Sequence, residues 1–177
     1  MCLRTLLLAS GLLVGTGAGC DAPKPAPPAA PPAVSARPLH LDQAQPKLPT
    51  LRLWIGAKEM DAEVCRTQTQ ISTGLMFRPG IAEDEGMLFV FSQPHEVAFY
   101  MKNVDFDIDA AYISGAGVIQ EVVRLKRRDE TPVPSTSRDI QFVLETAPGW
   151  FERNGIGAGS LVKTPRGSLR DVFGLNR

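Results

Sequence analysis

Four polar residues could form a binding site, because they stand within or beside segments that are otherwise apolar. Arg78 ends an apolar motif, Lys102 and Asn103 end an alternating segment, and Asp109 opens a strand-like run. Burying a charge is costly unless it is paired, so such positions need a partner charge or a ligand. We expect these side chains to converge on one cleft, with cationic and anionic contacts for a small polar ligand such as a sugar or cell-envelope fragment.

Two further acidic residues, Glu121 and Glu145, leave alternatives open. Asp109 with either of them could form the carboxylate pair of a glycoside hydrolase, if their oxygens lie about 5–9.5 Å apart in an open cleft. Equally, Lys102 or Arg78 could pair with Asp109 or Glu145 and only hold the fold together. A ligand-binding module is the preferred hypothesis and an envelope hydrolase the second, because no catalytic pair stands out in the sequence.

The cysteines and histidines offer little further chemistry. Cys65 is the one cysteine after Cys20, and a nucleophilic thiol needs a base, for which only His40 and His95 are available. These residues also show none of the usual zinc-ligand spacings. Strand alternation places Cys65 on the same side as Asp61, which predicts an exposed but incidental thiol. We therefore expect no metal site and no cofactor.

Short strands position these residues. Residues 51–55 alternate apolar and polar side chains, as in a half-buried strand, whereas residues 86–91 are apolar throughout, as in a strand covered on both faces. Residues 67–75, capped by Thr67, and residues 149–153 predict short helices. Further strands are predicted at residues 61–66, 97–102, 110–113, 118–125, 140–145 and 160–163. The fold class is therefore α+β, mainly β: a single compact barrel-like or sandwich domain of about seven or eight short strands with two short helices.

Residues 1–19 have the features of a signal peptide. Arg4 precedes an apolar run at residues 6–14, which is too short to span a membrane because a span needs about 20 apolar residues. Small residues then lead into Cys20, an order that resembles the lipobox of bacterial lipoproteins. Cys20 is therefore the expected lipidation site, and the anchored protein would face the periplasm or the cell exterior. Ordinary secretion with cleavage near Ala18 is the alternative.

The chain after Cys20 has the composition of a tether. Residues 21–50 contain nine of the fifteen prolines, and proline cannot donate a hydrogen bond to a helix or a sheet. We predict a lipidated Pro/Ala-rich tether at residues 20–50, a folded domain at 51–164 and a C-terminal tail at 165–177. The tail could dock on the domain or on a partner.

The charge pattern argues against a nucleic-acid partner. The chain has 19 basic and 19 acidic side chains, whereas binding to phosphates needs a one-sided positive surface. The densest basic run, residues 124–128, is followed at once by Asp129 and Glu130. A protein partner is a third hypothesis, which an exposed apolar patch around Trp150 and Phe151 would favour.

Several motifs, in order and with natural spacing over residues 51–163, resemble the DUF192 family. They are Gly74-Leu75-Met76-Phe77-Arg78, Glu85-Gly86-Met87-Leu88-Phe89-Val90-Phe91, Met101-Lys102-Asn103, Asp109-Ala110-Ala111-Tyr112-Ile113, Val143-Leu144-Glu145 and Ala147-Pro148-Gly149-Trp150-Phe151. The resemblance implies a compact β-rich fold that often follows an export signal. The family has no assigned function, so the resemblance implies no reaction. Val104 and Ser160 depart from it, standing where the family usually has threonine and aspartate.

Overall fold

The structure, a computed structural model, describes residues 39–175. The predicted signal peptide, Cys20 and much of the predicted tether lie outside the described residues. In the described part, no helix is long and apolar enough to cross a membrane. The elements in chain order are β1 (Thr50–Ile55), β2 (Lys58–Cys65), α1 (Gln68–Thr73), β3 (Glu85–His95), β4 (Ala98–Phe99), β5 (Ile108–Ser114), β6 (Ile119–Leu125), β7 (Val133–Pro134), β8 (Ile140–Thr146), α2 (Trp150–Arg153), β9 (Val162–Thr164), β10 (Gly167–Ser168) and α3 (Leu169–Phe173).

Eight of these strands form one mixed sheet in the order β10-β9-β1-β2-β3-β8-β5-β6, and β4 pairs with β7 in a separate two-stranded sheet. Neighbouring strands are antiparallel except β2 and β3, which are parallel and are connected through α1. The prediction of a mainly β, α+β domain is confirmed. The sheet is not closed into a barrel, although an isolated bridge between Val118 and Leu161 joins the segments that precede β6 and β9.

Both faces of the sheet are covered by apolar side chains. On one face, Leu53, Leu88 and Leu144 pack with Trp150 of α2 and Leu169 of α3. On the other face, apolar residues of β3, β5 and β8 pack against the segments that follow α1 and β4. All seven residues of β8 are buried, because neighbouring strands flank it and both faces are covered. The second face is the one that carries the candidate site.

Helix α1 begins where its capping residue predicts. The Thr67 side chain accepts a hydrogen bond from the Gln70 N–H, and the Gln70 side chain accepts one from the Thr67 N–H, which together form a capping box. The helix ends at Gly74, whose φ of 48° is accessible to glycine at little cost. The motif at residues 74–78 follows this short helix directly and therefore lies at one edge of the second face.

One predicted strand was largely wrong. Of the predicted strand at residues 97–102, only Ala98–Phe99 is extended and paired, since the Met101 N–H donates instead to the Asp129 carbonyl at 2.7 Å. Trp150 and Phe151 are buried in the core, so they form no exposed apolar patch.

Both ends of the described chain are packed more closely than the sequence suggested. The predicted tail forms β10 and α3, and its Leu169 is fully buried in the domain's own core. Before β1, Gln45 is buried and donates to the Gly74 carbonyl at 2.8 Å. The packed chain therefore starts several residues before the predicted boundary at residue 51.

Candidate functional site

A cavity of about 280 Å³ opens on the second face of the sheet. Its walls come from the end of α1 and the residues after it, from Phe89 and Phe91 of β3, and from residues 95–101 around β4. Most of these side chains are apolar or aromatic, and Glu145 of β8 adds a carboxylate to the lining. Four of the DUF192-like motifs therefore contribute to this one cavity.

Glu145 lies in a row of side chains that crosses the sheet. Met87 of β3 is its register partner on one side and Ala110 of β5 on the other, and Glu63 of β2 pairs with Met87. Register partners point to the same face of a sheet. Glu145 is 5% exposed, and its Oε2 atom accepts no hydrogen bond from residues 39–175. Burial in these surroundings raises the pKa of Glu145 to about 8.

Two residues that are chain neighbours of lining residues have unusual backbone angles. Phe77 and Asn103 have φ values of 62° and 56°, in the left-handed region that bulky residues rarely adopt. The Phe77 N–H donates to the Asn103 carbonyl at 2.8 Å, so the two conformations support each other. Phe77 and Tyr100 are also among the most exposed large apolar side chains of the described chain. Such strain persists where the surrounding structure fixes it, and it is common at ligand sites.

Arg78 forms an ion pair with Glu63, which was not among the predicted site residues. Its two terminal nitrogens donate to Glu63 at 2.8 and 2.9 Å, and the Leu48 N–H donates to the same carboxylate at 2.7 Å. Burial alone would raise the pKa of Glu63, but the hydrogen bonds from Arg78 and Leu48 lower it below its usual range. The arginine thus neutralises Glu63 and fastens the segment before β1.

Asp109 has its own partners on the first face of the sheet. The guanidinium of Arg124 binds the Asp109 carboxylate, and the Gly149 N–H donates to it at 2.8 Å. In β5 and β8, Asp109 pairs with Thr146 and Ala110 pairs with Glu145, so Asp109 and Glu145 point to opposite faces. The structure therefore does not bring Asp109 into the cleft expected for the four polar residues.

Glu121 is also separated from Asp109. It pairs in register with Tyr112 and accepts hydrogen bonds from the Thr136 backbone N–H at 2.7 Å and from the Thr136 hydroxyl at 3.0 Å. Tyr112 and Asp109 are three residues apart in β5, so Glu121 lies on the other face from Asp109. Asp109 therefore shares a face of the sheet with neither of the two glutamates considered as its partner for glycoside hydrolysis.

Three of the four predicted site residues lie near one another. Phe77, which precedes Arg78, is hydrogen-bonded to Asn103, and the Asn103 amide lies 4.0 Å from the Met76 sulfur. Lys102, next to Asn103, is half-buried and does not line the cavity. Neither Arg78 nor Asn103 lines the cavity, and of the two possible acidic partners, Glu121 and Glu145, only Glu145 does. In β2, Glu63 lies on the same side of the strand as Cys65, but nothing in the sequence pairs it with Arg78.

Cys65 corrects the prediction of an exposed thiol. Its side chain is fully buried beneath Gln45, whose amide lies 3.9 Å from the sulfur. Burial, and then the nearby Glu145 carboxylate, raise the pKa of the thiol well above its usual value. Cys65 and Asp61 lie on the same side of β2, as predicted, but at Cys65 this side is covered because the segment before β1 lies over the end of β2. Cys65 is therefore a protonated core residue.

Three of the four basic side chains at residues 124–128 pair with neighbouring acids. Arg124 pairs with Asp109 and Lys126 with Asp107. Arg128 pairs with Asp105 at 2.6 Å. These ion pairs reduce the positive charge concentrated at this run.

Comparisons with known proteins agree with this description. A search of curated proteins found no match. A crystal structure of a proposed transcription regulator from Sinorhizobium meliloti is similar, with 26% identity and a TM-score of 0.63, over 68% of this chain and 98% of that one. A protein of unknown function from Novosphingobium aromaticivorans has 27% identity and a TM-score of 0.63, over 66% of this chain and 86% of that one. The family model of DUF192, described as an uncharacterized ACR, matches residues 52–164. Because this match covers more than half of the sequence, the chain belongs to the DUF192 family.

Proposed function

We propose that this protein is a membrane-anchored, extracytoplasmic binding module for a small ligand, and that the ligand enters the cavity lined by Glu145. The anchor is the lipid on Cys20, and the domain faces the periplasm or the cell exterior. The observation that carries the proposal is the Glu145 carboxylate, which lies on the cavity wall, is 5% exposed and has an oxygen without a partner in residues 39–175.

An unpaired buried carboxyl group is costly to a folded domain. Leaving a buried polar atom unsatisfied costs about 1–3 kcal/mol, and more if the group is charged. The other two buried acids among residues 39–175, Glu63 and Asp109, each have an arginine and a backbone N–H. A ligand with a hydrogen-bond donor would supply the partner that Glu145 lacks, and its apolar part would be covered by the aromatic walls.

The other hypotheses receive less support. An envelope hydrolase built on Asp109 would need a second carboxylate on the same face, but Glu121 and Glu145 both lie on the other one. A role in transcription, as proposed for the Sinorhizobium relative, would need a positive surface, yet three of the four basic side chains in the densest basic run pair with acids. An exposed apolar patch around Trp150 and Phe151 would have favoured a protein-binding role, but both residues are buried.

Methionine methyl groups provide a direct test of binding in the cavity. Met76 and Met101 line it, whereas Met60 packs on the opposite face of the sheet. We expect a true ligand from a panel of amines, alcohols, sugars and peptidoglycan fragments to shift the ¹³C-methyl signals of Met76 and Met101 but not that of Met60. The full chain in lipid nanodiscs is the sample, and empty nanodiscs control for partitioning of the compounds.

A matched pair of variants completes this test. Ala98→Phe places a ring at the cavity wall, and Ala82→Phe places the same ring at an exposed position that does not line the cavity. Loss of binding only in Ala98→Phe supports the proposed site. Equal binding by both variants, or a panel that never shifts Met76 or Met101, contradicts it.

The anchor has its own test. Metabolic labelling with a radioactive fatty acid should mark the wild-type chain and the Cys65→Ala variant, and both should sediment with membranes. Cys20→Ala should lose the label, since the thiol at this position forms the thioether to the lipid. A released wild-type protein that begins near Ala18, without label, would show ordinary secretion instead.

A further inference from the structure

We infer that the ligand of this cavity is an organic cation: a protonated amine or a similar N–H-bearing cation on a small apolar body, bound to Glu145 through a charge-assisted hydrogen bond. The inference rests on the proposed function and specifies the chemical class of the ligand. Three features of the cavity carry it, which are the sign of its charges, its aromatic walls and the free acceptor at Glu145.

Every formally charged residue of the lining is acidic. Glu145 lies on the sheet side of the cavity and Glu96 lies near the solvent side, while neither lysine nor arginine contributes to the lining. Glu96 contacts Arg138 at 3.5 Å, but both of these side chains are largely exposed, so this ion pair is weak. A cavity with this charge distribution favours a cation and disfavours an anion.

The aromatic walls suit a cation as well as an apolar body. Phe89, Phe91, Phe99 and Tyr100 line the cavity, and the rings of Phe89 and Phe99 meet edge to face with centroids 5.0 Å apart. The faces of such rings attract ammonium groups, and the attraction grows when water is excluded. The sulfur atoms of Met76 and Met101, which are polarizable, complete the wall.

The groups that surround Glu145 leave its partner position open. Cys65 of β2 and Tyr112 of β5 are both neutral, because burial first, and then nearby carboxylates that include Glu145, raise the pKa of each. The Tyr112 hydroxyl donates to the Val133 carbonyl at 2.6 Å and is therefore engaged. His95, which lines the cavity, has its Nδ1 atom 2.9 Å from the Gln93 carbonyl.

Arg78, which reaches this row of the sheet from the segment after α1, is engaged as well. Arg78 binds Glu63 with two hydrogen bonds, and Glu63 lies two strands away from Glu145 with Met87 between them. Two strand spacings separate backbone positions by about 10 Å. The charge of Arg78 is therefore balanced by Glu63, and a cation that pairs with Glu145 would come from outside the described chain.

Three probes of similar size separate this inference from the proposed function: butylammonium, butan-1-ol and pentanoate. Each is titrated into the full chain in nanodiscs of zwitterionic lipid, and the methyl shifts of Met76 and Met101 are followed. At pH 9 we expect butylammonium to bind about 10- to 100-fold more tightly than butan-1-ol, and pentanoate not to bind.

The pH dependence identifies the group responsible. Because the pKa of Glu145 is about 8, the carboxylate must lose a proton to pair with the ammonium, whose own pKa lies near that of lysine, at about 10.4. The affinity for butylammonium should therefore fall about tenfold per pH unit as the pH drops from 8 to 6, while the affinity for butan-1-ol changes little. Glu145→Gln should abolish both the preference and its pH dependence, and the wild-type titration stands by itself if this variant does not fold.

Each possible result of these titrations leads to a different conclusion. If butan-1-ol binds as tightly as butylammonium at pH 9 and still shifts Met76 and Met101, the cavity is a ligand site but its ligand is not a cation. If butylammonium shows no dependence on pH between 6 and 8, Glu145 is not its partner and the inference is overturned. If none of the three probes shifts either methyl group, the cation inference also fails, and the wider panel then decides on the proposed function.

Discussion

Glu63 and Glu145 occupy the same row on the same face of the sheet, yet their surroundings differ. Glu63 is 7% exposed and has two hydrogen bonds from Arg78 and one from the Leu48 N–H, whereas Glu145 is 5% exposed and has an oxygen without a partner in the described chain. The pKa of Glu63 is lowered and that of Glu145 is raised to about 8. Burial is therefore a poor guide to the role of a charge. The paired carboxylate organises the fold, and the unpaired one marks the cavity.

The largest effect is expected from removing the partner of Glu63. Arg78→Ala leaves a buried carboxylate without its cation, which typically destabilises a protein by about 3–5 kcal/mol. Urea unfolding of the full chain measures this change. Arg153→Ala is the matched control, because its pair with Glu83 is about half exposed on both sides and contributes about 0–1 kcal/mol. Equal losses in the two variants would show that the Glu63 pair has no special structural role.

At Glu145, we expect the ionised carboxylate to lower the stability of the folded chain. Its carboxyl group is protonated in the folded state up to about pH 8 but only up to about pH 4.3 when unfolded. Folding therefore binds a proton between these values, and the free energy of unfolding falls by about 1.4 kcal/mol for each pH unit that the pH rises.

Glu145→Met removes this dependence and should make the chain more stable than the wild type at pH 8. Subtracting the unfolding free energies of the two proteins at each pH isolates the contribution of residue 145 from that of other carboxylates. The contribution of Glu63 has the opposite sign, because its lowered pKa stabilises the fold at neutral pH and this stability is lost as the pH falls through that value. A flat difference between pH 5 and 8 would mean that Glu145 is ionised in the folded state.

The smallest effect is expected in the segment before β1, which covers Cys65 and contacts Glu63. Gln45 donates to the Gly74 and Gln70 carbonyls at 2.8 and 3.3 Å above Cys65. Gln45→Ala should make this segment open more often. The rate at which a thiol reagent labels Cys65 should then rise about fivefold, since one hydrogen bond contributes about 1 kcal/mol. Mass spectrometry of the peptide that contains Cys65 measures the rate. Gln43→Ala, at an exposed position, should leave it unchanged, and the same increase in both variants would place residues 39–49 outside the folded unit.

Local patterns in the sequence predicted much of the fold. The alternation at residues 51–55 and the apolar run at 86–91 correspond to β1 and β3, and Thr67 caps α1 as expected. These features depend on residues close together in the chain, through side-chain periodicity and local hydrogen bonds. The short strands β4 and β7 were harder to recognise, because two-residue strands have no periodicity and form only where a distant segment pairs with them.

The sequence by itself thus determined the family, the mainly β class and the list of charged residues that needed explanation. Only the tertiary structure decided which of those charges were paired. Arg78 meets Glu63, Asp109 meets Arg124, and Glu145 meets no cation in the described chain. The reason is that the partners come from separate segments of the chain. Strand register brings Asp109 to Arg124, and the segment after α1 brings Arg78 to Glu63. Glu145 faces the cavity because β8 lies between β3 and β5 in that register, and a shift of one residue would have turned it to the opposite face.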